Sequence, residues 1–380
     1  MIFPSSNNIA LYSKSGSLTY SELKKRLKKP PFNKHEIVPF FPQNTIDSLI
    51  FHLSLYAYER VAFPLSHRLP KKTVNEIIAQ TKKRKDLEAS TYILTSGSSG
   101  KHKIVRLSLS NHLLSAIGSI EFLKITESDH SLLSLPLFHV GGVQILFRTL
   151  LTKSTLLLDE SLTPTRLSFV PVQLKRFLSQ PHSFFPKTIL LGGQSPPLSL
   201  CNQARDQGHT LVTTYGMSEM SGQITGHFFD GTLSLGKPLK YRQIKIDENQ
   251  EILVKGSTLF LGYLDQETPL ANGYFKTKDL GKLKPNLYII GRKDRQFISG
   301  GENIQPEEIE KALLSIKGIH RALVEPVEDL EFGMRPHAKI FPLLTTEFVQ
   351  KELKNLLPKF MIPKSFELLQ EEAKIVGNLL

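Results

Sequence analysis

The chain has 380 residues, 40% of them hydrophobic, and a formal net charge of +13; that supports a sizeable core and one large plus one small domain. No apolar run approaches the roughly 20 residues that span a bilayer, and the start Met1-Ile2-Phe3-Pro4 lacks the basic region and apolar stretch of a signal peptide. A single cysteine, Cys201, excludes a disulfide framework within the chain and makes the cytoplasm the default compartment.

Positive charge favours polyanionic partners. The clusters Lys24-Lys25-Arg26-Leu27-Lys28-Lys29 and Lys82-Lys83-Arg84-Lys85 flank or interrupt helical patterns, and the remaining charge is spread out. They read as solvated helix faces. No nucleic-acid motif accompanies them, so no nucleic-acid partner is expected, nor any membrane insertion.

In chain order, β-branched apolar runs at 91–95, 154–158, 168–172, 188–191 and 210–214 predict strands. Between them, amphipathic stretches at 110–124, 141–151, 173–179 and 198–207 predict helices. Such alternation gives an α/β fold with helices packed on a sheet. After about Gly236, short strands at 240–246, 251–255 and 258–263 predict a small β-rich lobe. An α+β tail follows. Its helix starts at Pro306, places Glu307, Glu308 and Glu310 where carboxylates suit the helix dipole, and carries an Ile309, Leu313, Ile316 stripe. The expected division is a large domain over 1–293 and a small C-terminal α+β domain over 294–380.

Thr95-Ser96-Gly97-Ser98-Ser99-Gly100-Lys101-His102-Lys103 directly follows a predicted strand. Glycines and small residues free backbone N–H groups to approach an anion, hydroxyls add donors, and lysines add charge. It is not a Walker A loop, because Thr95 replaces the first glycine and His102 the Ser/Thr. Tyr215-Gly216-Met217-Ser218-Glu219 ends a second strand. Nucleotide sites in open α/β sheets gather at strand carboxyl ends. A carboxylate beside phosphates makes sense as a Mg²⁺ ligand, which is the role Glu219 suits. Asp279 and Arg292 suit ribose hydroxyls, although each alone reads equally as a turn residue and a surface charge. His139, in Leu137-Phe138-His139-Val140-Gly141-Gly142, reads by itself as a capping or core histidine.

Together these motifs resemble the adenylate-forming superfamily of acyl-CoA synthetases, luciferases and nonribosomal adenylation domains. The T-S-G-[ST]-T-G-x-P-K loop of that superfamily appears with Ser99 for threonine and His102 for proline, and Lys103 keeps its final lysine. The Y-G-x-T-E motif has Ser218 for threonine, and the T-G-D element has Lys278 for glycine. The resemblance spans roughly Ser17 to the C-terminus. Ser134–Gly142, Leu190-Leu191-Gly192-Gly193 and Ile298–Glu310, with its Gly-Gly-Glu-x-Ile-Gln-Pro-Glu-Glu string, are similar to the branch that activates 2-succinylbenzoate for menaquinone biosynthesis. Shortening relative to that branch falls mainly ahead of Thr91.

The resemblance implies ATP and coenzyme A as co-substrates, Mg²⁺ as cofactor, and an AMP-forming acid–thiol ligase. Thr95 to Gly100 with Lys103 would hold the phosphates, and Tyr215, Gly216, Ser218, Asp279 and Arg292 the rest of the nucleotide. Lys374, in Ala373-Lys374-Ile375, would be the catalytic lysine, and the small domain would turn near Asp294. That turn would bring Gly300-Gly301 to a pantetheine tunnel gated or lined by His139. Arg148, Gln144 or the Gly192-Gly193 neighbourhood would meet a second substrate carboxylate. Rival readings are another aryl- or acyl-CoA ligase and a non-catalytic nucleotide-binding relative. A homo-oligomer remains open.

Overall fold

The computed structural model describes residues 5–96, 102–182, 184–341 and 345–369. The chain divides into two compact units. The first comprises Met1–Ile244, Val254–Phe275 and Pro285–Leu287; the second comprises Lys245–Leu253, Lys276–Lys284 and Tyr288–Leu380.

Among the described residues, the first unit carries a nine-stranded sheet with a parallel centre. Its parallel strands run in the order Leu211–Thr213, Thr188–Leu191, Arg166–Phe169, His130–Leu132, Thr155–Leu157 and Ile9–Ser13. Thr188–Leu191 and Thr155–Leu157 are buried throughout, as strands covered on both faces must be, so they read as continuous apolar runs. The helices Val140–Thr152, Pro171–Leu178 and Leu198–Asp206 supply crossovers between strands. Leu167, Phe169, Leu174, Phe177, Ile189, Leu191 and Leu211 close one core between sheet and helices.

The near ends of three strands are tied by one buried carboxylate. Asp129 accepts from Arg166 Nη2 at 3.0 Å, Lys187 Nζ at 2.8 Å and Thr165 Oγ1 at 2.9 Å. Burial opposes its charge, but the two cations and the Thr126 amide outweigh burial and hold the carboxyl well below the usual range.

A second sheet in the same unit has the order Gly262–Tyr263, His102–Leu107, Thr91–Ser96, Val61–Pro64 and Ile37–Phe40. Its core is Ile37, Val61, Phe63, Ile77, Tyr92, Ile104 and Leu264.

Two predicted strands differ from the structure. The strand expected at 168–172 ends at Phe169, because Pro171 starts the helix Pro171–Leu178 and Gln173 Oε1 accepts from the Val170 amide at 3.0 Å. The strand expected at 258–263 shrinks to Gly262–Tyr263. Leu259 N bonds Gly256 O at 3.0 Å, making a turn, and Asn111 Nδ2 donates to the Ser257 and Leu259 carbonyls at 3.0 and 2.9 Å.

In the second unit, Arg321–Asp329, Gly333–Phe341 and Ser365–Leu368 form a sheet against the helices Pro306–Ser315 and Thr346–Leu356. Ile304, Ile309, Leu313, Val324, Ala338, Ile340, Val349 and Leu353 make its core. Arg295 fastens it, reaching Glu310 at 2.7 Å, Glu307 at 3.0 Å and the Val324 carbonyl at 3.0 Å. Among the described residues no helix is long and apolar enough to cross a membrane.

Candidate functional site

Thr91–Ser96 and His102–Leu107 pair antiparallel in unbroken register from Thr91↔Leu107 to Ser96↔His102. These are the two strands that flank the Gly/Ser-rich segment in sequence. Gly97, Ser98, Ser99, Gly100 and Lys101 lie outside the described residues. Between the two strands, Thr95 Oγ1 donates to the Lys103 carbonyl at 3.4 Å.

The second motif is a folded-back turn. Tyr215 is buried, its carbonyl accepting from the amides of Ile224 (2.8 Å) and Thr225 (3.1 Å). Gly216–Met217 pairs with Gly222–Gln223. Ser218–Met220 makes a single 3₁₀ turn, closed by Ser221 N to Ser218 O at 3.0 Å. Glu219 projects from it, half-buried.

Tyr263 joins the two motifs. Its strand pairs with His102–Leu107 through Tyr263↔Val105 and Gly262↔Arg106. Tyr263 Oη donates to Glu219 Oε1 at 2.7 Å, and Lys103 Nζ sits 4.8 Å from the centroid of the same ring. A cation over a ring face and a carboxylate at the hydroxyl are both favourable contacts. Nothing in the sequence links Tyr263 to Glu219, because the contact is made only by tertiary packing.

Glu219 fits a Mg²⁺ site of one kind. Among the described residues no three His, Cys, Asp or Glu side chains come together as a metal cage. A cation there would take its remaining ligands from phosphate oxygens and water, which is how Mg²⁺ is usually held.

Behind this turn lies a buried polar chain that sequence reading missed. Gln144 Nε2 donates to Ser221 Oγ at 3.0 Å and to His112 Nδ1 at 3.2 Å. His112 Nδ1 is thus an acceptor, so its proton sits on Nε2, facing Thr91 Oγ1 at 2.9 Å. Thr91 continues to Tyr56 Oη at 3.0 Å, and Tyr56 to His52 Nε2 at 3.1 Å. Burial brings both histidines down to about 3, so they are neutral near pH 7. The Gln144 amide nitrogen serves this chain from inside the unit, while its Oε1 is buried with no partner among the described residues.

Arg148, on the same helix, is 6% exposed. Its Nη2 donates to Ser168 Oγ at 3.1 Å, and among the described residues it has no carboxylate partner. Burial, then the nearby Arg166, lowers its guanidinium to about 10. A buried arginine without an anion is costly, and a ligand carboxylate would satisfy it.

His139 occupies the N-cap of Val140–Thr152, its ring 4.7 Å from that of Phe138, and desolvation holds its imidazole below the usual range although the residue as a whole is exposed. The chain turns so tightly here that a Cβ on Gly142 would stand 2.2 Å from the Pro136 carbonyl oxygen.

In the second unit, Asp279 Oδ1 accepts from Arg292 Nη1 at 3.0 Å. Lys278, where the resembled motif has glycine, takes the left-handed backbone at φ 63°. Gly300 and Gly301 form the turn between Phe297–Ser299 and Glu302–Ile304, both with positive φ. Gly300 N donates to the Phe332 carbonyl at 3.0 Å. Lys374 lies outside the described residues.

Lys103 of the first motif and Glu219 of the second, gathered on one tyrosine of an α/β unit, point to the class of AMP-binding α/β proteins. The chain belongs to the family of AMP-binding enzymes, whose profile matches residues 67–264. It is 35% identical to a 2-succinylbenzoate–CoA ligase of Escherichia coli (strain K12), over 75% of this chain and 65% of that protein. It is 33% identical to the Bacillus subtilis (strain 168) 2-succinylbenzoate–CoA ligase, over 81% of this chain and 72% of the relative. The chain thus spans about two thirds of the length of the first and somewhat more of the second.

Among solved structures, the fold matches Bacillus subtilis o-succinylbenzoate CoA synthetase in complex with its acyl-adenylate intermediate. The TM-score is 0.87 at 27% identity, covering 96% of this chain and 92% of that one. The same synthetase with ATP and magnesium ion matches with TM-score 0.83 at 28% identity, covering 96% and 93%.

Proposed function

We propose that this chain joins 2-succinylbenzoate to coenzyme A at the expense of ATP, for menaquinone biosynthesis. The observation that carries the reading is Lys103 and Glu219, charged members of two motifs far apart in sequence, gathered on Tyr263. The likeness of nearly the whole chain to a synthetase holding an acyl adenylate supports the same conclusion.

A carboxylate is a poor electrophile. In the first half-reaction one substrate carboxylate oxygen attacks the α-phosphorus of ATP, and pyrophosphate leaves. The acyl carbon then carries AMP, a good leaving group. In the second half-reaction the thiolate sulfur of coenzyme A attacks that carbon and AMP departs. Little covalent chemistry falls to the protein, so positioning and charge stabilisation dominate. The segment 95–103 cradles the departing phosphates, with Lys103 as its cation. Bound Mg²⁺ supplies neutralisation of phosphate charge, and Glu219 is its protein ligand. Tyr215, Gly216 and Ser218 line the nucleotide, and Asp279 with Arg292 holds the ribose.

Arg148 is the partner proposed for the second carboxylate of the acid. Lys374 is assigned to bridging the reacting carboxylate and α-phosphate. The segment 294–380 is taken as a small domain that turns about Asp294, presenting Gly300-Gly301 to the pantetheine, with His139 at the tunnel. The cytoplasm is the proposed compartment, consistent with a buried free thiol at Cys201 and with nucleotide co-substrates.

Exchange of labelled pyrophosphate into ATP tests the reading. It should depend on 2-succinylbenzoate and not on benzoate or a straight-chain acid. Exchange driven equally by all three acids would reject the substrate, and no exchange with any would reject the activity.

A further inference from the structure

Tyr263 has two features that need separate explanations. The ring is accounted for by packing: it lies 4.9 Å from Phe260 and 6.4 Å from Phe275, both edge-on. A phenylalanine would fill that space equally well. The hydroxyl is different. It sits on Glu219 Oε1 at 2.7 Å, although the residue as a whole is only 7% exposed.

The surroundings hold Glu219 in one place. Its carbonyl accepts from the Phe260 amide at 2.8 Å, so the segment carrying Tyr263 grips both backbone and side chain of the glutamate. Three residues later in the chain, the same aromatic segment pairs with His102–Leu107. Ser221, just past the glutamate, is fixed through its carbonyl by Ser115 Oγ at 2.7 Å and through its hydroxyl by Gln144. The turn is therefore braced on both sides, and its carboxylate is held by the Tyr263 hydroxyl.

Charge is the second consideration. Lys103 lies over the Tyr263 ring and Glu219 at its hydroxyl, yet among the described residues no ion pair joins them. A direct pair would use up both charges. Sharing one aromatic ring instead keeps the two charges from pairing directly, with the hydroxyl on Glu219 Oε1.

We propose that Tyr263 is a positioning residue for the metal carboxylate: its hydroxyl holds Glu219 in the orientation that binds Mg²⁺, while its ring separately seats Lys103. The inference rests on the nucleotide reading given above. Groups that orient a metal ligand typically cost about 10- to 100-fold in metal affinity when removed.

Two variants separate the two functions. Tyr263→Phe keeps the ring and removes the hydroxyl; Tyr263→Leu removes both. Mn²⁺ affinity is read by electron paramagnetic resonance in the presence of α,β-methylene-ATP, and nucleotide affinity is read separately in EDTA. Tyr263→Phe should weaken Mn²⁺ binding about tenfold and leave metal-free nucleotide binding unchanged. Tyr263→Leu should weaken both. In a Glu219→Gln background, Tyr263→Phe should cause no further loss, because the hydroxyl acts through that carboxylate. Wild-type Mn²⁺ affinity in Tyr263→Phe, or an undiminished loss in the Glu219→Gln background, overturns the proposal. If the wild type binds the analogue no better with Mn²⁺ than in EDTA, the nucleotide reading itself falls and this proposal with it.

Discussion

Arg292 Nη1 lies 3.0 Å from Asp279 Oδ1, so the two residues assigned to the ribose hold one another. The remaining guanidinium nitrogens are occupied by Asp294, at 3.0 Å from Nε and 2.9 Å from Nη2. Burial works against this cation, but Asp294 and Asp279 outweigh it and raise the guanidinium above its ordinary range. Arg292 is thereby aimed before any ligand arrives, with Asp279 held beside it.

The consequence is a selective effect on nucleotide affinity. Hydrogen bonds to charged groups contribute about 1.5–3 kcal/mol, or roughly 10- to 100-fold. Asp279→Ala should raise the KM for ATP in pyrophosphate exchange by about that factor and leave the KM for the acid unchanged. Steady-state exchange at varied ATP and fixed acid measures this. Equal effects on both KM values would remove Asp279 from the nucleotide.

Lys278 gives a second prediction, on stability. It adopts φ 63° next to Asp279, and its amide donates to Glu251 Oε1 at 3.0 Å. A side chain in this region costs roughly 1–2 kcal/mol that glycine avoids. The amide bond survives substitution because it comes from the backbone. Lys278→Gly should therefore gain about 1 kcal/mol of stability, somewhat reduced by the extra freedom of glycine in the unfolded chain. Urea unfolding followed by circular dichroism reads it. A loss of stability would mean that the lysine side chain contributes more than its backbone strain.

How much of this was legible in the sequence depends on the range over which each signal acts. The buried strands Thr188–Leu191 and Leu211–Thr213 were readable because a strand covered on both faces must be apolar throughout. The helix Pro306–Ser315 was readable from its proline, its early carboxylates and its apolar stripe. Pro171 misled only because a β-branched run surrounds it, although a proline that opens a helix was the better local reading. The motif residues were legible as chemical types. What joins them was not: Tyr263 meets Glu219 through tertiary packing, and His112, Thr91 and Ser221 look like ordinary polar positions until burial pairs them. Gln144 illustrates the limit, since the sequence marks it as a polar residue on an apolar helix but not that its amide nitrogen faces Ser221 and His112. Lys278 was visible as a departure, and only its φ explains why glycine is the residue the resembled motif uses.

Arg148 supplies a third prediction, on specificity. Its guanidinium is buried, bonded to Ser168 Oγ, and without an acidic partner among the described residues. A ligand carboxylate placed against it would be lost to an uncompensated environment once the arginine is removed, at a cost of about 3–5 kcal/mol. Arg148→Met should lower kcat/KM for 2-succinylbenzoate by about 10²–10³-fold. The same variant should leave an aryl monocarboxylic acid at least as good a substrate as before, because nothing charged then faces the methionine. The ratio of the two kcat/KM values is the measurement. A parallel fall for both acids would mark Arg148 as a structural residue.

The neutral histidines make stability depend on pH in a definable direction. His52 and His112 are buried and brought down to about 3 by desolvation, with the two rings disfavouring each other's charge at His112. In the unfolded chain a histidine titrates near 6.5. As pH falls below about 6.5 the unfolded state takes up protons that the folded state refuses, so stability is complete above that pH and is lost progressively down to about 3. Each such group contributes a slope of about 1.4 kcal/mol per pH unit across that window. His52 also packs edge-on against Phe40 at 5.0 Å, so His52→Phe preserves an aromatic in the space while removing one titration. The variant loses the bond to Tyr56 and should be less stable at pH 7.5. Between pH 6.5 and 5 its stability should nevertheless fall less steeply than that of the wild type, by about 1.4 kcal/mol per pH unit. Urea unfolding at pH 7.5, 6.5 and 5.5 measures both curves. Parallel curves would mean that His52 already carries its proton in the folded protein, against the burial seen for its ring.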